Sequence, residues 1–173
     1  AICYAKVVED EAIEQIRRMC DYDFTVGSQV RIMPDVHAGK GCTIGTTMTI
    51  TDKVVPDMVG VDIGCGMETI CLGKIDVDFN KLDNVIRTHI PCGRDVRRTP
   101  HNFNSKIFLE ELRCFDYVNI SRATHSIGTL GGGNHFIEID KDDEDNLYLV
   151  IHTGSRNLGK QVCEIYQNKA MEN

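Results

Sequence analysis

The passage that decides the fold runs Gly131-Gly132-Gly133-Asn134-His135-Phe136-Ile137-Glu138-Ile139, crosses an acidic stretch, and resumes as Leu147-Tyr148-Leu149-Val150-Ile151-His152. Residues 136–139 and 147–151 are apolar runs. Between them lie Asp140, Asp142, Asp143, Glu144 and Asp145, which read as a solvated loop. Two such runs flanking a polar turn pair as an antiparallel hairpin. His135 enters the first strand from a glycine turn and His152 ends the second, so the pairing brings both imidazoles near one end of the sheet.

Working outward, short β-branched runs broken by glycine cover residues 43–51, 59–63 and 68–72, and these are predicted strands of a mixed sheet. Residues 9–20 place Ile13, Ile16 and Met19 at three-residue spacing among charged residues, the pattern of a helix packed on one face. Residues 80–89 and 105–114 read as helices, separated by a Gly-, Pro- and Arg-rich loop at 91–100. A last helix is predicted over 159–171. The expectation is an α/β fold of the α+β kind: one domain spanning 1–173, with a mixed, largely antiparallel sheet, flanking helices and a site at the sheet's edge. Residue 1 is Ala, and the last predicted helix runs towards Asn173 without a capping signal, so a longer parent protein is expected.

Composition narrows the classes. No run approaches the roughly 18 apolar residues that a membrane-spanning helix needs, and no basic segment leads into an apolar one at the start of the chain. The eight cysteines are irregularly spaced, which fits reduced thiols in a cytoplasmic protein better than a disulfide framework; most are expected to be small buried hydrophobes. A formal charge of −7 argues against a protein that coats nucleic acid through its overall charge. A local basic track remains possible at residues 87–106, where Arg94, Arg97, Arg98, His101 and Lys106 face a single acid, Asp95. That stretch either touches RNA or is an ordinary exposed loop.

Four segments hold residues that make poor core: Met33-Pro34-Asp35-Val36-His37-Ala38-Gly39-Lys40-Gly41, Asp62-Ile63-Gly64-Cys65-Gly66-Met67, Gly131-Gly132-Gly133-Asn134-His135-Phe136, and His152-Thr153-Gly154-Ser155-Arg156. Each joins glycine to a polar or ionisable side chain, and glycine lets backbone approach a ligand closely. Asp62 and Cys65 lie three residues apart, with Gly64 and Gly66 freeing the turn to aim both at one point. With His135 and His152 they make an Asp, Cys, His, His set for a metal. Thiolate and imidazole favour zinc while a carboxylate favours manganese or magnesium, so spacing alone leaves the ion open. The glycine turn with Asn134 also offers N–H groups and an amide to a nucleotide phosphate. His37 and Lys40 either contact phosphate or support the metal ligands, and Arg156 either binds phosphate or makes a local salt bridge.

In this order the four segments, with Val59-Gly-Val before Asp62 and Gly128-Thr-Leu-Gly before the glycine turn, closely resemble the RtcB family of RNA-splicing ligases over residues 30–160. The resemblance implies joining of an RNA 3′-phosphate or 2′,3′-cyclic phosphate end to a 5′-hydroxyl end, with GTP and two manganese ions, in tRNA splicing and RNA repair. It implies metal-ligand roles for Asp62, Cys65, His135 and His152, with Cys65 bridging two ions, and it sets Asn134, His135, Phe136, Ile137 and Glu138 against the guanylate. It also implies a histidine–GMP intermediate. None of the six histidines here matches the family's nucleophile, which is expected beyond the end of the chain, as is one further metal-binding histidine. The span from Asp62 to His135 is shorter than is usual in the family, which bears on the RNA-contacting surface. An archease-type activating partner belongs to the same expectation. Two other readings stand beside this one: a metal-dependent phosphoesterase, distinguished by phosphate release without GTP, and a non-catalytic metal- or RNA-binding module, distinguished by RNA binding without guanylylation.

Overall fold

The computed structural model describes every residue except Val61, Asp62, Ser155 and Asn173, and for Arg156 the backbone alone. The chain divides into two compact units, Ala1–Val59 and Gly60–Asn173, each an α+β arrangement around a small sheet.

In the first unit, strand β1 (Ile2–Cys3) lies parallel to β2 (Val30–His37), and β2 pairs antiparallel with β3 (Ile44–Met48). Helix α1 (Asp10–Cys20) carries Asp10 and Glu11 in its first turn and Arg17 and Arg18 in its last, charges that complement the helix dipole. Its inward stripe is Ala12, Ile16 and Met19, spaced four and three residues apart, so Ala12 takes the buried place that the spacing assigned to Ile13. These pack on Val30, Ile32 and Val36 of β2. Pro34 interrupts β2 because it has no N–H to give the ladder, and the pairing with β3 slips between Ile32 and His37. Gln15 of α1 fixes the loop that follows: its amide donates to the Gly39 carbonyl at 2.9 Å and accepts from the Gly39 N–H at 3.0 Å.

In the second unit, β4 (Gly66–Gly73), β5 (Phe136–Lys141) and β6 (Leu147–Thr153) form an antiparallel sheet in the order β4-β6-β5. The hairpin predicted from the opening passage is β5 and β6, in register from Phe136 opposite His152 to Lys141 opposite Leu147. Helix α2 (Phe79–His89) starts at Asp78, whose carboxylate accepts the Lys81 N–H at 3.0 Å. Helix α3 (Ile120–Ser126), absent from the sequence reading, starts at Asn119, whose side chain accepts the Arg122 N–H at 2.9 Å. Helix α4 (Arg156–Met171) begins three residues before the predicted start.

Three expectations are corrected. Residues 105–114 are not an α-helix; short 3₁₀ turns at Asn102–Lys106, Leu109–Glu111 and Phe115–Tyr117 replace it. Ile107 and Phe108 are exposed there, so a helical face would have had nothing to pack on, and packing is what stabilises a short helix. The predicted strand at 59–63 is not formed by its described residues: Val59 lies in a bend and Ile63 in a turn, and the rest of the prediction, Val61 and Asp62, lies outside them. Only Cys114 and Cys163 are fully buried, whereas Cys3 and Cys20 at element ends, Cys71 on an edge strand, and Cys65 and Cys92 in loops are exposed. No described helix is long and apolar enough to cross a membrane.

Candidate metal centre

The antiparallel register gathers the second unit's chemical residues at one end of its sheet. Cys65 immediately precedes β4, His135 immediately precedes β5, and His152 is the second-to-last residue of β6, the strand between them. His152 lies opposite both Met67 and Phe136, so its neighbours in register bring Cys65 and His135 to it from either side. The result is a three-residue cluster whose ligand atoms all lie within 4.8 Å of one another. The Cys65 Sγ and the His152 Nε2 are 2.5 Å apart. The imidazoles of His135 and His152 stand edge to face with centroids 5.3 Å apart, and the Phe136 ring packs edge-on against His152 at the same distance.

His135 is buried, and its Nδ1 lies 2.8 Å from the Leu130 carbonyl oxygen. A carbonyl only accepts, so Nδ1 carries the proton and Nε2 is the nitrogen that can ligate. A carbonyl fixing the far nitrogen of a ligating histidine is the usual arrangement at metal sites. Two glycines make the approach possible. A Cβ on Gly131, which adopts φ +76°, would lie 2.7 Å from the His135 Nδ1. A Cβ on Gly154 would lie 2.6 Å from the Cys65 Cα, and both are far inside ordinary contact.

Gly131 and Gly154, the glycines that make room for the cluster, also line a cavity of about 410 Å³. Gly132, Gly133 and Asn157 line it too, together with Arg94, Arg122 and the acid Asp95. The Pro91–Arg94 backbone holds the glycine turn in place: Leu130 N–H donates to the Pro91 carbonyl at 2.9 Å and Gly93 N–H to the Gly131 carbonyl at 2.8 Å. Arg122 donates to the Arg94 carbonyl at 2.9 Å, which holds the two basic residues side by side.

The other residues singled out in the sequence fall in different places. Asp62 lies outside the described residues, as does the Arg156 side chain at the head of α4. Asn134 and Glu138 are exposed. Strand alternation puts Phe136 and Glu138 on one face of β5, and Ile137 with Ile139 on the other, where they line a groove against Phe79 and Leu82 of α2. Arg97 turns inward: its guanidinium donates to the Gly128 carbonyl at 2.6 and 3.1 Å, with a longer bond to the His89 carbonyl. Arg98 is exposed. His37 and Lys40 belong to the first unit, where the His37 Nδ1 faces the Asp35 carbonyl and Lys40 lines a cleft of about 810 Å³. In that cleft burial pushes the Cys42 thiol up from its ordinary range, and the Asp57 charge adds to the effect. Arg122, Thr129 and Asn157 were missed by the sequence reading; the one available signal for Arg122 was the capping residue Asn119, which starts its helix.

Comparison with known proteins gives the same order of segments a family. Residues 15–114 and 104–173 match the family described as tRNA-splicing ligase RtcB. The chain belongs to the RtcB family. It is 34% identical to the RNA-splicing ligase RtcB of Escherichia coli K12 over 90% of this chain and 43% of that protein. It is 30% identical to the tRNA-splicing ligase RtcB of Methanococcus maripaludis, over 82% of this chain and 40% of the relative. Against the tRNA-splicing ligase RtcB of Nanoarchaeum equitans the identity is 27% over 93% of this chain and 45% of the relative. The chain therefore spans less than half the length of the curated relatives it matches.

Proposed function

We propose that this chain carries the metal- and nucleotide-binding part of a cytoplasmic RNA ligase that uses GTP and manganese to join a 3′-phosphate or 2′,3′-cyclic phosphate end to a 5′-hydroxyl end. The observation that carries the reading is the convergence of Cys65, His135 and His152, in a chain whose relatives are named RNA-splicing ligases.

The donor set fits a divalent ion. Cys65 as thiolate and two neutral imidazoles each offer one lone pair, and the thiolate can bridge a second ion. We assign Asp62, three residues before Cys65, as the carboxylate that shifts the set from zinc towards manganese. When bound, the ions neutralise charge on the attacking and leaving oxygens of a phosphoryl group.

The chain's own residues then bind and orient. The N–H groups of the Gly131–Gly133 turn and the Asn134 amide receive phosphate oxygens, while Arg94 and Arg122, against the single acid Asp95, give the same cavity a net positive charge. Phe136 and Glu138, on the face of β5 that meets His152, border the guanylate. In the family's chemistry an imidazole nitrogen attacks the α-phosphate of GTP and pyrophosphate leaves. GMP then passes to the RNA 3′-phosphate, and the 5′-hydroxyl oxygen attacks that phosphorus and displaces GMP. We place the nucleophilic histidine, and the surface for an archease-type activator, on the part of the ligase that this chain does not span.

Incubation with radiolabelled GTP and manganese tests the reading, using this chain and a form extended to the length of its relatives, followed by denaturing electrophoresis. Label on the extended form alone is expected. Label on neither, with metal-dependent phosphate release from RNA ends, would move the assignment to a phosphoesterase. In parallel, Cys65→Ala should remove manganese from the protein by elemental analysis, and unchanged metal content would refute the ligand assignment.

A further inference from the structure

We infer that Thr153 is a positioning residue for the ligand His135, acting through the carbonyl of Leu130; the inference rests on the metal reading above. Two donors converge on that carbonyl oxygen: His135 Nδ1 at 2.8 Å and the Thr153 hydroxyl at 2.8 Å. The hydroxyl also lies 3.4 Å from the Thr129 carbonyl, so its stronger partner is Leu130. A carbonyl has two lone pairs, and these two donors fill both.

The arrangement joins parts of the chain that would otherwise be independent. Thr153 follows His152 on β6, and strand alternation sends its side chain to the face opposite that ligand, towards the turn that carries His135. The Leu130 N–H is held by Pro91, and the left-handed Gly131 turns the chain immediately afterwards, so the backbone is anchored on either side of the carbonyl that receives the two donors. The Thr153 hydroxyl thus fixes the acceptor that fixes the His135 ring. One hydroxyl ties the strand bearing one ligand to the turn bearing another, through a backbone carbonyl.

The test is a titration of the full chain with cobalt(II), followed by visible absorption and by the near-ultraviolet thiolate-to-cobalt band. Thr153→Val deletes the hydroxyl at nearly constant volume, and Thr153→Ser restores it. Thr153→Val is expected to weaken cobalt affinity about tenfold, the lower end of the effect of outer partners at metal sites, with the thiolate band retained because Cys65 is untouched. Thr153→Ser should stay close to wild type. Equal affinity of wild type and Thr153→Val would overturn the inference and leave the metal reading standing, and equal losses in the valine and serine variants would overturn it too, since the hydroxyl would then not be the agent. No cobalt binding by wild type would overturn the metal reading and this inference with it. Should Thr153→Val be unfolded by circular dichroism, Thr153→Ala makes the same deletion with less bulk and is read the same way.

Discussion

Replacing Gly131 by alanine separates two roles that glycine plays beside the cluster. The residue adopts φ +76°, and holding an L-residue there costs roughly 1–2 kcal/mol. The added Cβ would also lie 2.7 Å from the His135 Nδ1, about 0.7 Å inside the closest ordinary contact of 3.4 Å. The backbone at this point is held by the Gly93 N–H to the Gly131 carbonyl, so the ring is what must move. A metal site tolerates about 0.2 Å in ligand distance, so a shift several times larger should weaken metal binding at least tenfold, or about 1.4 kcal/mol. Gly93→Ala is the control: φ there is +65° and a Cβ would meet nothing within 4 Å, so it carries backbone strain without the clash. Thermal unfolding and manganese titration of both variants are compared. Both should lose stability by a similar 1–2 kcal/mol, and only Gly131→Ala should lose metal affinity. If Gly131→Ala is folded and binds metal as wild type does, the argument that this glycine makes room for the ligand is refuted.

Three further outcomes are expected. Arg97→Ala should lower stability by about 1 kcal/mol, because its guanidinium holds the Gly128 carbonyl, and should leave RNA affinity unchanged; a loss of RNA binding at equal stability would return it to the RNA surface. Arg94→Ala and Arg122→Ala should each weaken binding of a 3′-phosphorylated RNA by roughly threefold to tenfold and flatten its salt dependence, with manganese content unchanged, and a wild-type salt slope would exclude the cavity as the phosphate site. The Asn146 amide foremost, with the N–H groups of Asn146 and Glu144 and the Tyr148 hydroxyl, holds the Asp142 carboxyl below its ordinary range. A carboxyl lowered by folding stabilises the protein above its unfolded value and loses that contribution as pH falls through its folded value. The unfolding temperature of Asp142→Asn should therefore fall less steeply than wild type's on the acid side of pH 4, and parallel curves would show that the hydrogen bonds do not favour the charged form.

Elements whose pattern is set by their own residues were legible in the sequence. The β5–β6 hairpin follows from two apolar runs around an acidic loop, and the order of partners in it carries His135 to His152. Even there the loop is tighter than composition suggests, since Asp140 pairs within the sheet opposite Tyr148, and Asp142 turns back to organise Asn146 and Tyr148. Helix α1 was legible as a periodic stripe, though not which of Ala12 and Ile13 lies inside, because that choice depends on where β2 presents Val30 and Ile32. Residues 105–114 failed for the complementary reason. Their composition permits a helix, but Ile107 and Phe108 are left exposed, so among the described residues a helical face there gains no packing.

At the site, the residue types were readable and the backbone groups were not. Cysteine and histidine beside glycine mark a ligand set, whereas nothing in the letters Leu130 or Gly128 announces that their carbonyls are the acceptors for His135 and Arg97. The glycines carry a different meaning from the one first given them. Read as sequence, the glycines of these segments let backbone come close to a metal or a phosphate, and Gly131–Gly133 in particular offer N–H groups to phosphate. In the structure Gly131 leaves space for the imidazole of His135, and Gly154 for the backbone of Cys65. Any side chain at either position would push a ligand away before substrate entered, and those same glycines line the cavity that holds Arg94 and Arg122. The glycine pattern is therefore first a condition for the cluster's geometry. Its offer of N–H groups to a phosphate follows from the same two close approaches, which leave the turn with no side chains to cover them.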